Sequence, residues 1–217
     1  MPRGIVVTYA VPGFGFAHSH ERATRDGIAR RLAALKGFDF AGEYDPARPH
    51  SGPVYLVPSD TLVGLDVAAA LGVRGEHDLF GGVVPHAFTA TKALTHSLVG
   101  PEAQAPPGWS DAFGRQVRDV VLSGFTAFTP EDAREAGGRL LRCGPVRVKR
   151  VRATGGRGQQ VVADAAGLDA VLGTMDAAEL RRDGLVLEEE LDGVTTYSVG
   201  QVRVAEFVAS YCGTQSL

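Results

Sequence analysis

Hydrophobic and polar positions in the first 88 residues predict a small α/β unit. Short apolar runs predict strands, and an i, i+4, i+7 apolar face predicts the first helix. The predicted elements are a strand at 4–10, a helix over 20–36, a strand at 53–58, a short helix over 61–72 and a strand at 78–84. This alternation is typical of a small parallel sheet.

The middle of the chain carries clear helix and strand signals. Thr129 predicts an N-cap, with Pro130 as the first helical residue and two acidic residues in the first turn. The other predicted elements are a short helix over 89–100, a loop at 101–109, a helix capped by Ser110 with an apolar stripe through Val117 and Val120, strands at 146–151 and 160–163, helical turns around 167–182 and a strand within 183–193.

The last part of the chain predicts one long β segment over 196–211, bent near Gly200 and Glu206. Such a strand needs a partner along its edge. We find no internal repeat, so the chain is not expected to be a solenoid.

Composition narrows the class of protein. The chain has 217 residues, 44% of them hydrophobic, and a net charge of −3, as in an ordinary globular protein. No apolar run approaches the length of a membrane helix, and the N-terminus lacks a signal peptide. We therefore expect a cytoplasmic protein with no nucleic-acid or membrane partner. Cys143 and Cys212 are expected to be reduced, small core residues.

Lysine is scarce in this chain. Only three of the 22 basic residues are lysines. Lys36 ends the first helix ahead of Gly37, where a cation complements the helix dipole. Lys92 and Lys149 lie in apolar or small-residue surroundings, which suits a compact charge beside a single ligand atom. The alternative is that both ammonium groups only reach solvent at the edge of an element.

A glycine-rich loop follows Lys149 in the stretch VRVKRVRATGGRGQQVV. Gly155, Gly156 and Gly158 can expose successive backbone N–H groups to a phosphate, and Thr154 can add a hydroxyl. The loop is not a P-loop, because a strand follows it and no Gly-Lys-Ser/Thr is present. A plain hairpin tip is the alternative.

An acidic strand end lies some 40 residues later, in LVLEEELDG. Its backbone could pair with the edge of an adenine, and a carboxylate of Glu188, Glu189 or Glu190 could meet a ribose. A solvated acidic strand end remains the other interpretation.

The order of these features resembles the ATP-grasp superfamily, which includes carboxylate–amine ligases. The resemblance rests on Lys92 in ATK, on TPEDAREAGGRLL…PVRVKRVRATGGRGQQVV and on LVLEEELDGVTTYSV. It implies that ATP and Mg²⁺ are bound. By this resemblance, Lys92 and Lys149 contact the α- or β-phosphate, the three loop glycines form a lid, and Glu188 to Leu191 form the adenine hinge. The stretch DLFGGVVPHAFTATKA further resembles an uncharacterised bacterial ATP-grasp-like branch.

The resemblance also implies a domain order and a fold class. That class is α/β, with a Rossmann-like domain followed by an α+β lid subdomain and the start of a second, truncated subdomain. The expected divisions are 1–88 for the Rossmann-like domain, 89–124 for connecting helices, 125–193 for the lid and 194–217 for the first strands of the truncated subdomain.

Two departures from the family pattern stand out. Thr195 and Thr196 occupy the region where members carry a ribose-binding glutamate, so ribose contact would pass to the Thr196 hydroxyl or to Glu190. The family's magnesium ligands lie on later strands. We therefore expect either a fragment of a longer polypeptide, which we favour, or a metal-free nucleotide binder.

Three functions remain open. The first is an ATP-dependent ligase that activates a carboxylate and transfers the acyl group to an amine or thiol; the acceptor is unknown, and this chain alone is expected to be inactive. The second is a non-catalytic regulatory module that binds a nucleotide or anion. The third uses histidines, although we expect His18, His20, His86 and His96 to be exposed or to cap helices. A homo-oligomer is left open.

Overall fold

The computed structural model describes residues 3–13, 19–153 and 158–215. The strands are β1 Ile5–Tyr9, β2 Asp39–Glu43, β3 Val54–Pro58, β4 Leu62–Val63, β5 Val83–Val84, β6 Gly124–Ala127, β7 Val146–Arg150, β8 Gln159–Val162, β9 Leu185–Glu189, β10 Thr196–Val204 and β11 Phe207–Gln215. The α-helices are α1 Ser19–Lys36, α2 Leu65–Ala70, α3 Ala112–Val117, α4 Pro130–Leu140, α5 Ala165–Leu172 and α6 Ala177–Asp183, with two 3-10 helices at Ala87–Ala90 and Lys92–Thr95.

The chain divides into two compact units, each described by itself. One contains Met1–Pro85 together with Thr195–Leu217, and the other contains His86–Val194. Both units combine helices and strands, so the mixed α/β class is confirmed. In the described residues, no helix has the length and apolar character needed to cross a lipid bilayer.

The first unit is built on a parallel three-stranded sheet in the order β2-β1-β3. Val6 and Val57 are fully buried in it and pack with Ala29 and Leu32 of α1. The strands predicted near 4–10 and 53–58 and the helix over 20–36 are confirmed. Lys36 ends α1 and its ammonium lies 4.1 Å from the centre of the Tyr55 ring.

Three elements of this unit differ from the prediction. β2 was not predicted, because its sequence DFAGE is short and polar and only alternate residues are partly buried. The helix expected over 61–72 begins only after the two-residue strand β4. The strand expected at 78–84 shrinks to β5, with Leu79 forming an isolated bridge to Leu56.

The long β segment predicted over 196–211 is instead a hairpin. β10 and β11 pair antiparallel from Thr196 with Gln215 to Val204 with Phe207. The connection is only two residues, and Ala205 adopts a φ of 51° to make it. β11 therefore supplies a partner of the kind that the predicted long strand was expected to need.

The second unit contains an antiparallel four-stranded sheet in the order β6-β9-β7-β8. One face of it is apolar: Val146, Val148 and Leu187 are at most 1% exposed and pack with residues of α4 and α5. The predicted start of α4 is confirmed, because the Thr129 hydroxyl accepts a hydrogen bond of 3.1 Å from the Asp132 N–H. The strands predicted on either side of the glycine-rich segment are confirmed as β7 and β8.

Several local predictions in this unit are wrong. The helix expected over 89–100 is replaced by the two 3-10 helices, because Thr91 between them is extended and caps the second one. The apolar stripe beyond α3 does not form, since α3 ends at Val117 and Val120 is 83% exposed. Asp111, and not Ser110, is its N-cap. Cys143 of this unit and Cys212 of the other unit were expected to be small core residues, but both are exposed.

Candidate functional site

The second face of the four-stranded sheet carries charged side chains. Because cross-strand partners point to the same side of a sheet, Lys149 shares this face with its partner Val186, and Arg147 shares it with its partner Glu188. The alternate residues Val148 and Leu187 point into the apolar core. The pattern VRVK therefore buries its valines and directs Arg147 and Lys149 to the opposite side.

A cavity of about 560 Å³ opens on this face. Its lining is Lys92, Thr95, His96, Asp119, Val120, Val121, Leu122, Lys149, Val186 and Glu188. The two lysines singled out from the sequence thus line one cavity, although 57 positions separate them. They reach it from different elements, Lys92 from the second 3-10 helix and Lys149 from β7.

Lys92 is anchored to the beginning of the glycine-rich loop. Its ammonium donates a hydrogen bond of 3.3 Å to the backbone oxygen of Ala153. Burial lowers the pKa of Lys92, the charge of Lys149 lowers it further, and Glu188 acts in the opposite direction. An anion in the cavity would oppose both of the lowering effects.

Lys149 is paired with Glu188 within the cavity. Its ammonium donates to Oε1 of Glu188, whose side chain is only 8% exposed. A carboxylate buried to this degree requires a charged or hydrogen-bonding partner, because desolvation otherwise makes its ionised form costly. Lys149 supplies that partner from the neighbouring strand.

His96 lies behind this ion pair and is 5% exposed. Its Nε2 lies 3.0 Å from the carbonyl oxygen of Leu122 and 3.9 Å from Oε2 of Glu188, and its Nδ1 lies 2.8 Å from the Thr95 hydroxyl. Burial lowers the pKa of His96 as the largest effect. The expectation that His96 is exposed is wrong, because its ring is enclosed between the sheet and the segment ending at Leu122. His96 does stand at the C-cap of the second 3-10 helix.

Two glycines make room for His96. A Cβ on Gly124 of β6 would lie 2.6 Å from Cδ2 of the His96 ring and 2.6 Å from the Leu187 oxygen. A Cβ on Gly114 of α3 would lie 2.9 Å from the His96 carbonyl carbon. Neither distance is compatible with a side chain, so glycine at these positions allows the histidine to approach the strand.

The acidic residues after Glu188 are engaged elsewhere. The Glu189 N–H donates to the Ser123 oxygen at 2.9 Å, and its carboxylate accepts from the Ser123 N–H at 3.2 Å. Glu190 is held by the guanidinium of Arg147, whose Nε lies 2.6 Å from Oε2. Leu191 is 45% exposed. The acidic segment is therefore not a uniform solvated end, since each of its carboxylates has its own partner.

Three of the predicted loop residues, Thr154, Gly155 and Gly156, lie outside the described residues. Gly158, at the end of the loop, has a φ of 67° and packs closely on Ala153, where a Cβ would come within 2.8 Å. Thr196 begins β10 in the other unit and is exposed.

Two residues at or beside the cavity were not predicted from the sequence to belong to the site. Arg147 stands two positions before Lys149, and strand alternation alone places it on the same face. His96 stands four positions after Lys92, but its burial depends on Gly124 and Leu122, which are distant in sequence. Only the first of the two had a local signal.

The described parts of the chain hold no group of three or more histidine, cysteine or acidic side chains that could bind a metal ion. The cavity itself contributes two carboxylates, Asp119 and Glu188, and the latter is already paired with Lys149.

Solved structures similar to this chain are ligases of the ATP-grasp group. D-alanyl-alanine synthetase A from Vibrio cholerae matches with a TM-score of 0.51 and 12% identity, over 99% of this chain and 67% of that one. D-alanine–D-alanine ligase from Bacillus anthracis matches with a TM-score of 0.48 and 10% identity, over 100% and 73%. Phosphoribosylamine–glycine ligase from Thermotoga maritima matches with a TM-score of 0.47 and 12% identity, over 95% and 48%.

The first of these similarities confirms, at the level of fold, the resemblance to the ATP-grasp superfamily. The chain spans about two thirds of the length of the synthetase and about half of the length of the glycine ligase. No curated protein matches the sequence. Residues 9–217 match the family described as a protein of unknown function, DUF3182, and the chain therefore belongs to that family.

Proposed function

We propose that this chain binds ATP as the nucleotide-binding part of an ATP-grasp-like ligase. The observation that carries the proposal is the convergence of Lys92 and Lys149 on one cavity beside the end of β9. Two ammonium groups from separate elements form a suitable counter-charge for a polyphosphate.

The cavity also suits a nucleotide in its size and lining. Small-molecule sites usually measure roughly 300–1,000 Å³ and combine apolar walls with a few polar groups. This cavity, at about 560 Å³, has Val121, Leu122 and Val186 as apolar lining and concentrates its positive charge at two residues. The apolar side chains would pack against the base of the nucleotide, and the two lysines would contact its phosphates.

We assign the remaining roles by the family resemblance. Lys92 and Lys149 would contact phosphate oxygens, Thr154, Gly155, Gly156 and Gly158 would supply backbone N–H groups, and the backbone of Glu188 to Leu191 would meet the adenine edge. Ribose contact falls to Thr196 or Glu190. On this assignment residues 1–88 form the Rossmann-like domain, 89–124 the connecting helices, 125–193 the lid and 194–217 the start of a further subdomain.

We assign no ligand for Mg²⁺ among the described residues, because no suitable group of side chains is found there. The part of the reaction that this chain's own residues would support is the binding of the triphosphate and the neutralisation of its charge by the two lysines.

For the whole protein we propose carboxylate activation. A carboxylate oxygen would attack the terminal phosphorus of ATP, releasing ADP and forming an acyl phosphate, and an amine or thiol would then displace phosphate. The acceptor would be a small molecule with such a nucleophile.

Calorimetric titration with ATP tests the binding proposal. We expect Lys149→Met and Lys92→Met each to weaken ATP binding by about tenfold or more, since each removes one charge-assisted contact. Lys36→Met is the matched control, because Lys36 lies over the Tyr55 ring in the other unit and lines no part of the cavity. Equal affinity in wild type and Lys149→Met would overturn the proposal.

Turnover separates the ligase from the regulatory module considered as its alternative. The whole natural protein is incubated with ATP, Mg²⁺ and panels of carboxylates and amines or thiols, and ADP release is measured. Acceptor-dependent ADP release supports the ligase. Lysine-dependent binding of ATP without release under all of these conditions supports a non-catalytic module.

A further inference from the structure

We propose that His96 is a positioning residue whose protonation decides whether Glu188 stays on Lys149, and so how much positive charge the cavity offers to an anion. The inference rests on the proposed function, because the anion in question is the polyphosphate of a nucleotide.

The geometry places the carboxylate between two nitrogen bases. Oε1 of Glu188 accepts from the Lys149 ammonium, and Oε2 lies 3.9 Å from Nε2 of His96. That separation is too long for a hydrogen bond but short enough for a strong charge interaction in a buried place. The charge of a protonated His96 would compete with Lys149 for this carboxylate, while the Nε2 proton stays directed at the Leu122 oxygen.

The surroundings of His96 accommodate both of its protonation states, but all of its hydrogen bonds are satisfied together only when the ring is charged. A carbonyl oxygen can only accept, so Nε2 carries a proton directed at the Leu122 oxygen. In the neutral ring Nδ1 is an acceptor, and the single Thr95 hydroxyl proton must then serve both Nδ1 and the Lys92 oxygen, which lies 2.8 Å away. In the charged ring Nδ1 donates to Thr95, and Thr95 donates to Lys92, so both acceptors are satisfied.

The charges that face His96 come from several elements. β9 contributes Glu188, β7 contributes Lys149 and the preceding 3-10 helix contributes Lys92. The segment before β6 contributes Asp119 to the same cavity, whereas β6 and α3 present glycines at the ring and its backbone. Burial and Lys149 lower the pKa of His96, while the Leu122 carbonyl and Glu188 raise it.

A bound polyphosphate would act in the direction of Glu188 and raise the pKa of His96. By linkage, a group whose pKa is higher in the complex than in the free protein strengthens binding as the pH falls. As the pH falls, the affinity begins to increase near the pKa of His96 in the complex, and the increase is complete below its pKa in the free protein. A rise of about one unit corresponds to an affinity gain of about tenfold.

The test compares wild type with His96→Gln. Glutamine can keep a donor at the Nε2 position for the Leu122 oxygen but cannot be protonated in this range. ATP without added metal is titrated into each protein between about pH 8 and pH 5.5. The wild-type to variant ratio of affinities at each pH removes the protonation of ATP itself. His50→Gln, at an exposed loop position, is the control histidine.

We expect the ratio of wild-type to His96→Gln affinity for ATP to rise about five- to tenfold from the alkaline to the acid end of the range. The ratio of wild-type to His50→Gln affinity should stay constant. Binding that requires Lys149 but has a constant wild-type to His96→Gln ratio overturns this inference and leaves the proposed function intact. Absence of ATP binding in wild type at every pH overturns both.

A second measurement is made on the wild-type protein and does not depend on the folding of the variant. NMR titration of the His96 ring with and without ATP is expected to give a pKa about one unit higher in the complex. A ring whose pKa does not move when ATP saturates the protein contradicts the inference.

Discussion

Lys149 and Glu188 form an ion pair diagonally across two antiparallel strands. Lys149 stands opposite Val186, and Glu188 stands opposite Arg147, so the pair joins positions that are not direct partners in the ladder. The carboxylate is nearly buried, and Lys149 is about one fifth exposed. Because Glu188 is nearly buried and Lys149 is its ion-pair partner, we expect the loss of either side chain to destabilise the protein.

We predict that Lys149→Met lowers the free energy of unfolding by about 2 kcal/mol, because it leaves Glu188 without its cation. Adding Glu188→Gln to Lys149→Met should restore part of this loss, since the buried charge is then absent. Urea unfolding of the two single variants, the double variant and wild type measures the coupling. Losses that simply add would contradict the pairing of these two side chains.

Gly124→Ala is predicted to destabilise the protein by about 2 kcal/mol, because the new methyl group would collide with the His96 ring and the Leu187 oxygen. Gly138→Ala in α4 is the matched control. It meets nothing within 4 Å and should stabilise the protein by about 0.5–1 kcal/mol through helix propensity. Thermal unfolding of both variants checks the prediction, and similar melting temperatures would contradict the enclosed position of His96.

Lys92 should take up protons when a polyphosphate binds. Its pKa is lowered by burial and by Lys149, and an anion would favour the ammonium form and raise it. Between the two pKa values, binding is therefore accompanied by proton uptake, and affinity falls as the pH rises through the value in the complex. Calorimetry in buffers of different ionisation enthalpy measures this uptake.

Lys92→Arg provides the control for that measurement, because a guanidinium stays charged over the whole range. The arginine variant should bind with a smaller dependence on buffer. The same proton uptake in wild type and Lys92→Arg would assign the effect to another group.

Ala205→Gly is predicted to raise the free energy of unfolding by about 1 kcal/mol. Ala205 has a φ of 51° in the two-residue connection of the hairpin, a conformation that costs an L-residue with a side chain roughly that much. Ala209→Gly in the extended strand β11 should have the opposite effect. Chemical denaturation of both variants is the measurement, and a loss of stability in Ala205→Gly would contradict the turn.

The elements that the sequence predicted well are those with local signals. Thr129 followed by Pro130 marks the start of α4, and the alternation around Lys149 marks β7. The hairpin at Ala205 was missed because its two-residue turn contains no glycine or asparagine, the residues that usually mark such turns. The positive φ of an alanine cannot be recognised from the sequence.

The site was accessible from the sequence only in part. The scarcity of lysine identified Lys92 and Lys149, and both line the cavity. The burial of His96 could not be predicted, because it depends on a carbonyl 26 residues away and on Gly124 in a separate strand. Proximity created by tertiary packing leaves no periodic trace in the chain.

The bidentate ion pair between Arg147 and Glu190 limits the ability of Glu190 to accept a hydrogen bond from a sugar hydroxyl. Two guanidinium nitrogens already hold the two oxygens of Glu190, and a third N–H of Arg147 donates to Gln159 at 3.1 Å. A ribose hydroxyl that donated a hydrogen bond to Glu190 would have to compete with the bidentate guanidinium of Arg147. Discrimination between ribose and deoxyribose should therefore be weak wherever it depends on Glu190.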